Sequence, residues 1–526
     1  MIQLLLGAYL FSGAVAHPDF HSVLPTGPPA FVPLSAILDQ HSTNRNTNTG
    51  DDEQVVLGST TYFSTNLEIN SRCLTLIGDR TTLTHEGATI HSKQKMDKSA
   101  KTTIGLPHEP FHSLLLMNCT IVLDSLNLVV NIEHCSICSI TASHLSVKNC
   151  EVSSSTSLSP FVVNSWSAGT LSSIWIENSR YSRFSSTTIL PFVDVDSAMD
   201  SMINARSADL FAGTEEPGLT ICGTGLSILD SSFPLSTGPL FSFKKTSRGS
   251  EESGSVLEVE TVLSSSLVQN VTSPNIANCW MAGASQKMIG TRIRESTNHI
   301  SGTGCVDMNF GGSFLSLNSS FSNCVRTTQS LPNDDQDKTG QKFKHGDRLT
   351  LDNFSTSSIM ISSCTFDTMS FHEPIENLNG GAAIFINERH VPVTIQRCSF
   401  YKCAITGQQP DGGAVFLNFP SSAPSPEHIH VSDSSFIDCT NTYVHTSDGD
   451  CTNCGGGFCI IYASSFTLNH LSFHNCFASL RGGGMYLDRS DGTVSNVLMD
   501  SCGSPHGGGM YRHLSSPIKI GKTGIN

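Results

Sequence analysis

Apolar residues along most of the chain come in short runs of period two, and Ser, Asn, Thr or Gly ends each run. Leu114–Met117, Thr120–Leu123, Leu126–Ile132 and Ile174–Ile176 are examples. Strict alternation between turn-forming residues is the pattern of short β-strands. Helical periodicity is scarce, and residues 196–212 are the one stretch that reads as a short helix or a loop insertion. Residues 17–55, rich in Pro, Asn and Thr, predict a leader or cap with little regular structure.

The strands belong to a repeat. Gly-Gly followed by an apolar run occurs at Gly311-Gly312, Gly380-Gly381, Gly412-Gly413, Gly455–Gly457, Gly482–Gly484 and Gly507–Gly509. Over the last five copies the steps between final glycines are 32, 44, 27 and 25 residues. A second part, Ser-Phe-x-x-Cys, returns at Phe321–Cys324, Phe400–Cys403, Phe436–Cys439 and Phe473–Cys476. Fainter echoes are Asn118-Cys119, Asn149-Cys150, Leu226–Phe233 and Ile359–Phe366. No such unit buries its own apolar face, but stacked units bury a continuous column. Uneven steps suit a stack whose corners loop out, with Pro420–His430 or Asn441–Asn453 as the insertion in the longest one. The expected fold is therefore all-β, a parallel β-helix (β-solenoid). A propeller calls for more even units of about 40–50 residues.

The Gly-Gly-Gly-Met-Tyr-Leu and Ser-Phe-x-x-Cys units resemble right-handed parallel β-helix proteins of the pectin-lyase-like superfamily. More narrowly, they resemble the large secreted or surface β-helix repeat proteins of unicellular eukaryotes. Bacterial polymorphic outer-membrane repeats are a looser likeness. The resemblance covers about 300–515 clearly and 110–300 faintly, and it implies a right-handed coil. The expected layout is a signal peptide at 1–16, the leader or cap at 17–55, divergent coils at 56–300, clear repeats at 301–515 and a tail at 516–526. The last glycine cluster ends at Gly509, and a coil left bare there would expose strand edges, so a longer family is expected.

Composition then narrows the role. The apolar run Ile2–Phe11 leads to Ala14-Val15-Ala16, the pattern of a secretory signal cleaved before His17. With Lys plus Arg at 30 against 45 acids, the net charge of −15 sets nucleic acid aside. No run is long enough to predict a membrane span. Sequons at Asn118, Asn270, Asn318 and Asn353 fit secretion weakly. The 18 cysteines are even in number, and Cys398/Cys403 and Cys451/Cys454/Cys459 are the best candidates for local disulfides. Their recurrence at one repeat position equally suits small buried groups in a stack.

Motifs for catalysis are weak. His108-Glu109-Pro110-Phe111-His112 matches a zinc-protease helix, but Pro107 and Pro110 argue for a turn. Cys451-x-x-Cys454 near Cys459 and His445, and Cys135-x-x-Cys138 beside His134, have metal-like spacing but read better as core or disulfide cysteines. Asn333–Asp337 lacks the Gly and Glu of a calcium loop, and Asp448-Gly-Asp450 reads as a solvated turn. The expectation is no metal, no cofactor and no identifiable catalytic residues. Within the superfamily, lyases use acidic calcium ligands with a basic residue, and polygalacturonase-like members use clustered Asp. Asp230, Asp433 and Asp438 lie near repeat strands without forming a patch in the sequence. The leading reading is a secreted or surface protein with a structural, adhesive or recognition role toward glycans or proteins. The alternative is a polysaccharide lyase or glycoside hydrolase, which needs several carboxylates, or a base with acids, within about 10 Å on one face.

Overall fold

The computed structural model describes the strands named below between residues 32 and 525, continuously over 143–154, 173–183, 284–294, 311–327, 358–373, 392–407, 428–443 and 455–513. The signal-peptide region, the 196–212 stretch, Asn118, Asn270, Asn353, Asp230, Asn333–Asp337 and 444–454 lie outside the described residues. Within 17–55, where the sequence predicts little regular structure, a strand at Val32–Pro33 and a ten-residue helix at Leu34–Thr43 are formed. Leu34 and Leu38 of the helix are buried in the main apolar cluster, at its N-terminal end.

One coil shows the plan. Val393–Gln396 forms a first face, Ser399–Tyr401 a second, Ala404–Gly407 a third and Val415–Asn418 a fourth. Each strand pairs in parallel with its counterpart one coil on, as in Val393↔Ile429, Phe400↔Phe436, Ile405↔Asn441 and Val415↔Phe458. Among the described residues the fourth face is a separate sheet of 14 strands. The other three faces form one sheet of 34, because Ile429–Ile437 and Phe466–His474 run unbroken through the first corner. This is a β-solenoid: alternate side chains point into one shared core, and hydrogen bonds run along the axis at about 4.8 Å per coil.

The Ser-Phe-x-x-Cys motif can now be read position by position. Ser faces out, and Phe enters the core. Phe321, Phe366, Phe400, Phe436 and Phe473 stack down the axis with ring centroids 4.9, 5.0, 4.7 and 4.6 Å apart. The first x ends the strand. The second x turns the corner with positive φ, as at Asn323 (51°), Lys402 (49°), Asp438 (54°) and Asn475 (52°). Asn and Asp recur there because a short polar side chain tolerates this conformation best after glycine. The residue after it, Cys in most coils and Met369 in one, then points inward and is buried. The corner between first and second faces repeats the scheme, with Asn149, Asn178 and Asn318 at positive φ and Cys150, Ser179 and Ser319 buried after them.

The cysteines are thus columns of small buried groups. Cys398 and Cys403 stand at different corners as free thiols, which corrects the expected local disulfide. Each thiol donates locally: Cys439 Sγ reaches the carbonyls of Ile437 at 3.5 Å and Phe400 at 3.6 Å. Burial pushes the Cys150 thiol up to about 11 from its usual 9.0, with Asp124 adding to the shift. The fold therefore favours the neutral thiol. The preference costs nothing below pH 9 and is lost as pH rises from 9 through 11. Unfolding followed between pH 8 and 11 should show Cys150→Ser losing about 2 kcal/mol less stability than the unmodified chain. Equal losses in the two proteins would contradict this.

Candidate functional site

The second face is only three residues wide, so its two flanking corners stand close together. At its downstream edge two outward columns run side by side. The strand-end column is Asp367, Tyr401, Ile437, His474 and Asp500, in register through successive coils. The corner column is Thr368, Lys402, Asp438, Asn475 and Ser501, all at positive φ. The left-handed corner throws each side chain outward beside its strand-end neighbour, so five coils present a two-wide strip that is polar except at Ile437.

These groups are partly exposed and joined to one another. Asn475 Nδ2 donates to Asp438 Oδ1 at 2.7 Å. His474 Nδ1 lies 2.9 Å from Asp500 Oδ2. Thr368 and Ser501 donate to the neighbouring Asp367 and Asp500 carboxylates. Lys402 stands over the Tyr401 ring at 4.8 Å. The Tyr401 hydroxyl, then Asp438 and Asp367, hold its ammonium above the usual range. At the upstream edge His470 Nδ1 lies 3.5 Å from Asp433 Oδ1, with Asn469 and Asn496 hydrogen-bonded beside it. Another imidazole–carboxylate pair, His513 with Asp488 at 3.1 Å, lies away from this strip at the end of the fourth face.

Of the acids noted in the sequence, Asp433 and Asp438 flank the same short segment at two different corners and do not meet. Asp438 instead lies on the strip between Lys402 one coil before it and His474 one coil after it, with Asp500 one coil further on; Lys402 to His474 is two coil steps, about 10 Å. That convergence crosses repeat boundaries, so no local motif announces it. Its only trace in the sequence is the polar residue recurring before each repeat cysteine.

The remaining candidates do not converge. Phe111–Met117 is a strand, so the His112 end of the zinc-protease match is not helical. Cys138 is buried in the core, and burial raises its thiol well above the usual range. Cys451, Cys454, His445 and Asp448-Gly-Asp450 lie outside the described residues, while Cys459 is buried on the fourth face. Asn318 is exposed at a corner. Among the described residues no three His, Cys, Asp or Glu side chains are grouped to hold a metal, and no helix is long and apolar enough to cross a membrane.

No known protein family matches the chain, and no curated protein does. Among solved structures it is similar to the PL6 family alginate lyase AlyGC, at 7% identity and a TM-score of 0.21, over 94% of this chain and 99% of that one. An arginine-to-alanine mutant of the same lyase aligns at 10% identity and a TM-score of 0.18, over 93% and 88%. Nothing is carried from the lyases to residues of this chain at that level of superposition. The solenoid assignment rests on the parallel register described above.

Proposed function

We propose that this chain is a secreted, right-handed β-helix that engages neutral, hydroxyl-rich glycans along the polar edge of its second face. The observation that carries the reading is the strip itself: three carboxylates, three hydroxyls, an amide, an imidazole and an ammonium set out at the coil spacing. Planar donors and acceptors at a fixed repeat suit a polymer of repeating hydroxyls. The charge balance selects among glycans. Asp367, Asp438 and Asp500 outnumber Lys402 on the strip, and the chain carries −15 overall, so a polyanionic chain meets repulsion. The signal-peptide pattern at Ile2–Ala16 supports secretion.

A second reading, cleavage of the glycan, is favoured by one feature. Lys402, Asp438 and His474 lie within two coil steps, the roughly 10 Å span that an acid–base site requires. A glycan array run beside depolymerisation assays on neutral and acidic polysaccharides tests both readings. The expected result is binding to neutral glycans that falls about tenfold in the Asp438→Ala/His474→Ala double variant, the scale of one or two lost charge-assisted hydrogen bonds. Unchanged binding in the variant would remove the strip from the account. Chain shortening abolished by the same variant would establish the enzymatic reading.

A further inference from the structure

A second surface, far along the axis from the strip, has the chemistry of a sugar platform. Trp175 points outward from the first face in the strand Ser173–Glu177 and is 43% exposed. Its in-register neighbours in the coils before and after are Ser146 and Ser227. Serine is the residue type at both positions, and Ser146 is only partly exposed beside the indole. Indole Nε1 donates to Glu177 Oε2 at 3.3 Å, and Lys148 Nζ lies 3.4 Å from that same oxygen. The ring is therefore tethered at one edge.

Beside it runs a ladder at the adjoining corner. Asn178 Nδ2 donates to Asn149 Oδ1 at 2.7 Å, and Asn149 Nδ2 donates to Asp124 Oδ1 at 2.9 Å. Each amide has a second N–H and the Asn149 oxygen a second lone pair, while Asp124 Oδ1 also accepts from Ser125 Oγ at 2.9 Å. An indole that is 43% exposed and held by Glu177 offers an apolar ring surface with a polar group at its edge. A protein partner with a flat apolar face would cover the ring and leave the remaining N–H groups of the ladder unmet. A pyranose satisfies both, because its C–H face is apolar and its equatorial rim carries hydroxyls.

We propose that Trp175, with Glu177, Lys148 and the Asn149/Asn178 ladder, binds a pyranose unit of a glycan chain by stacking and rim hydrogen bonds. The proposal rests on the glycan reading above and adds a site separate from the second-face strip. The full chain is titrated calorimetrically with cellohexaose, chitohexaose, laminarihexaose and mannohexaose, and tryptophan emission is followed in parallel. Binding of at least one is expected, with affinity falling tenfold or more in Trp175→Ala and staying within about threefold in Trp175→Tyr, which keeps a stacking ring. The exposed position makes folding of both variants expected, and circular dichroism checks it. If the unmodified chain binds and Trp175→Ala binds equally well, this site is overturned while the glycan reading stands. If the unmodified chain binds none of the four, both fall.

Discussion

Phe400→Ala is expected to cost ~3–5 kcal/mol, the range for emptying a fully buried aromatic site. Phe400 has no exposed surface and lies between two stacked neighbours, with centroids 5.0 Å from Phe366 and 4.7 Å from Phe436. Deleting the ring removes its own transfer free energy and both stacking contacts. The gap cannot collapse along the axis, because the backbone hydrogen bonds of adjacent coils fix their spacing. In a stack bound by nearest-neighbour interfaces, the loss stays local. Hydrogen exchange should therefore speed up in 358–373, 392–407 and 428–443 and remain unchanged in 143–154. Phe400→Leu should cost much less, since it refills most of the volume. A loss below about 1 kcal/mol in the Ala variant, or a uniform rise in exchange along the chain, would contradict a core organised as this column.

The repeat was legible because a solenoid imposes the same demand on the same position in every coil. Phe321, Phe366, Phe400, Phe436 and Phe473 recur for one physical reason, and so do the corner Asn and the inward Cys. Two things were not legible. The first is the outer apolar column of the fourth face, where Phe385, Phe416, Cys459 and Tyr486 form a buried cluster apart from the main core. Their neighbours Ile384 and Ile386 face inward, so the run Ile-Phe-Ile is apolar on both sides, and alternation cannot reveal which side is which. The second is the polar strip. Asp438, His474 and Asp500 lie 36 and 26 residues apart in sequence, and the unequal steps hide a register that only the strand pairing supplies. Pairing also decides the cysteines: spacing alone suggests Cys398–Cys403, whereas the corner scheme sends them into different columns.

Gly456→Ala tests the other half of the repeat. In the clusters that begin at Gly412, Gly455, Gly482 and Gly507 the first residue turns with positive φ, 59° at Gly455 and 62° at Gly482. The second presses its backbone against the following coil. A Cβ on Gly456 would meet the Phe477 carbonyl carbon and oxygen at 2.6 Å, with the Gly483 oxygen closer still. All of these are backbone atoms, which cannot rotate away as a side-chain end does. They also belong to the ladder in which Gly456 N–H donates to Gly482 O at 3.0 Å and Gly457 N–H to Gly484 O at 3.0 Å. Relief requires moving one coil off the next, so the expected cost is ~3 kcal/mol or more, the upper part of the range for overpacking. Gly503→Ala is the matched control. Its Cβ would touch only the Phe477 ring, at 3.4 Å, which is ordinary packing, and the expected change is below ~1 kcal/mol. Denaturant midpoints for the pair should therefore differ clearly, with the larger shift in Gly456→Ala. Equal midpoints would mean that the glycines serve only the bend, and that the coils do not meet backbone to backbone at this corner.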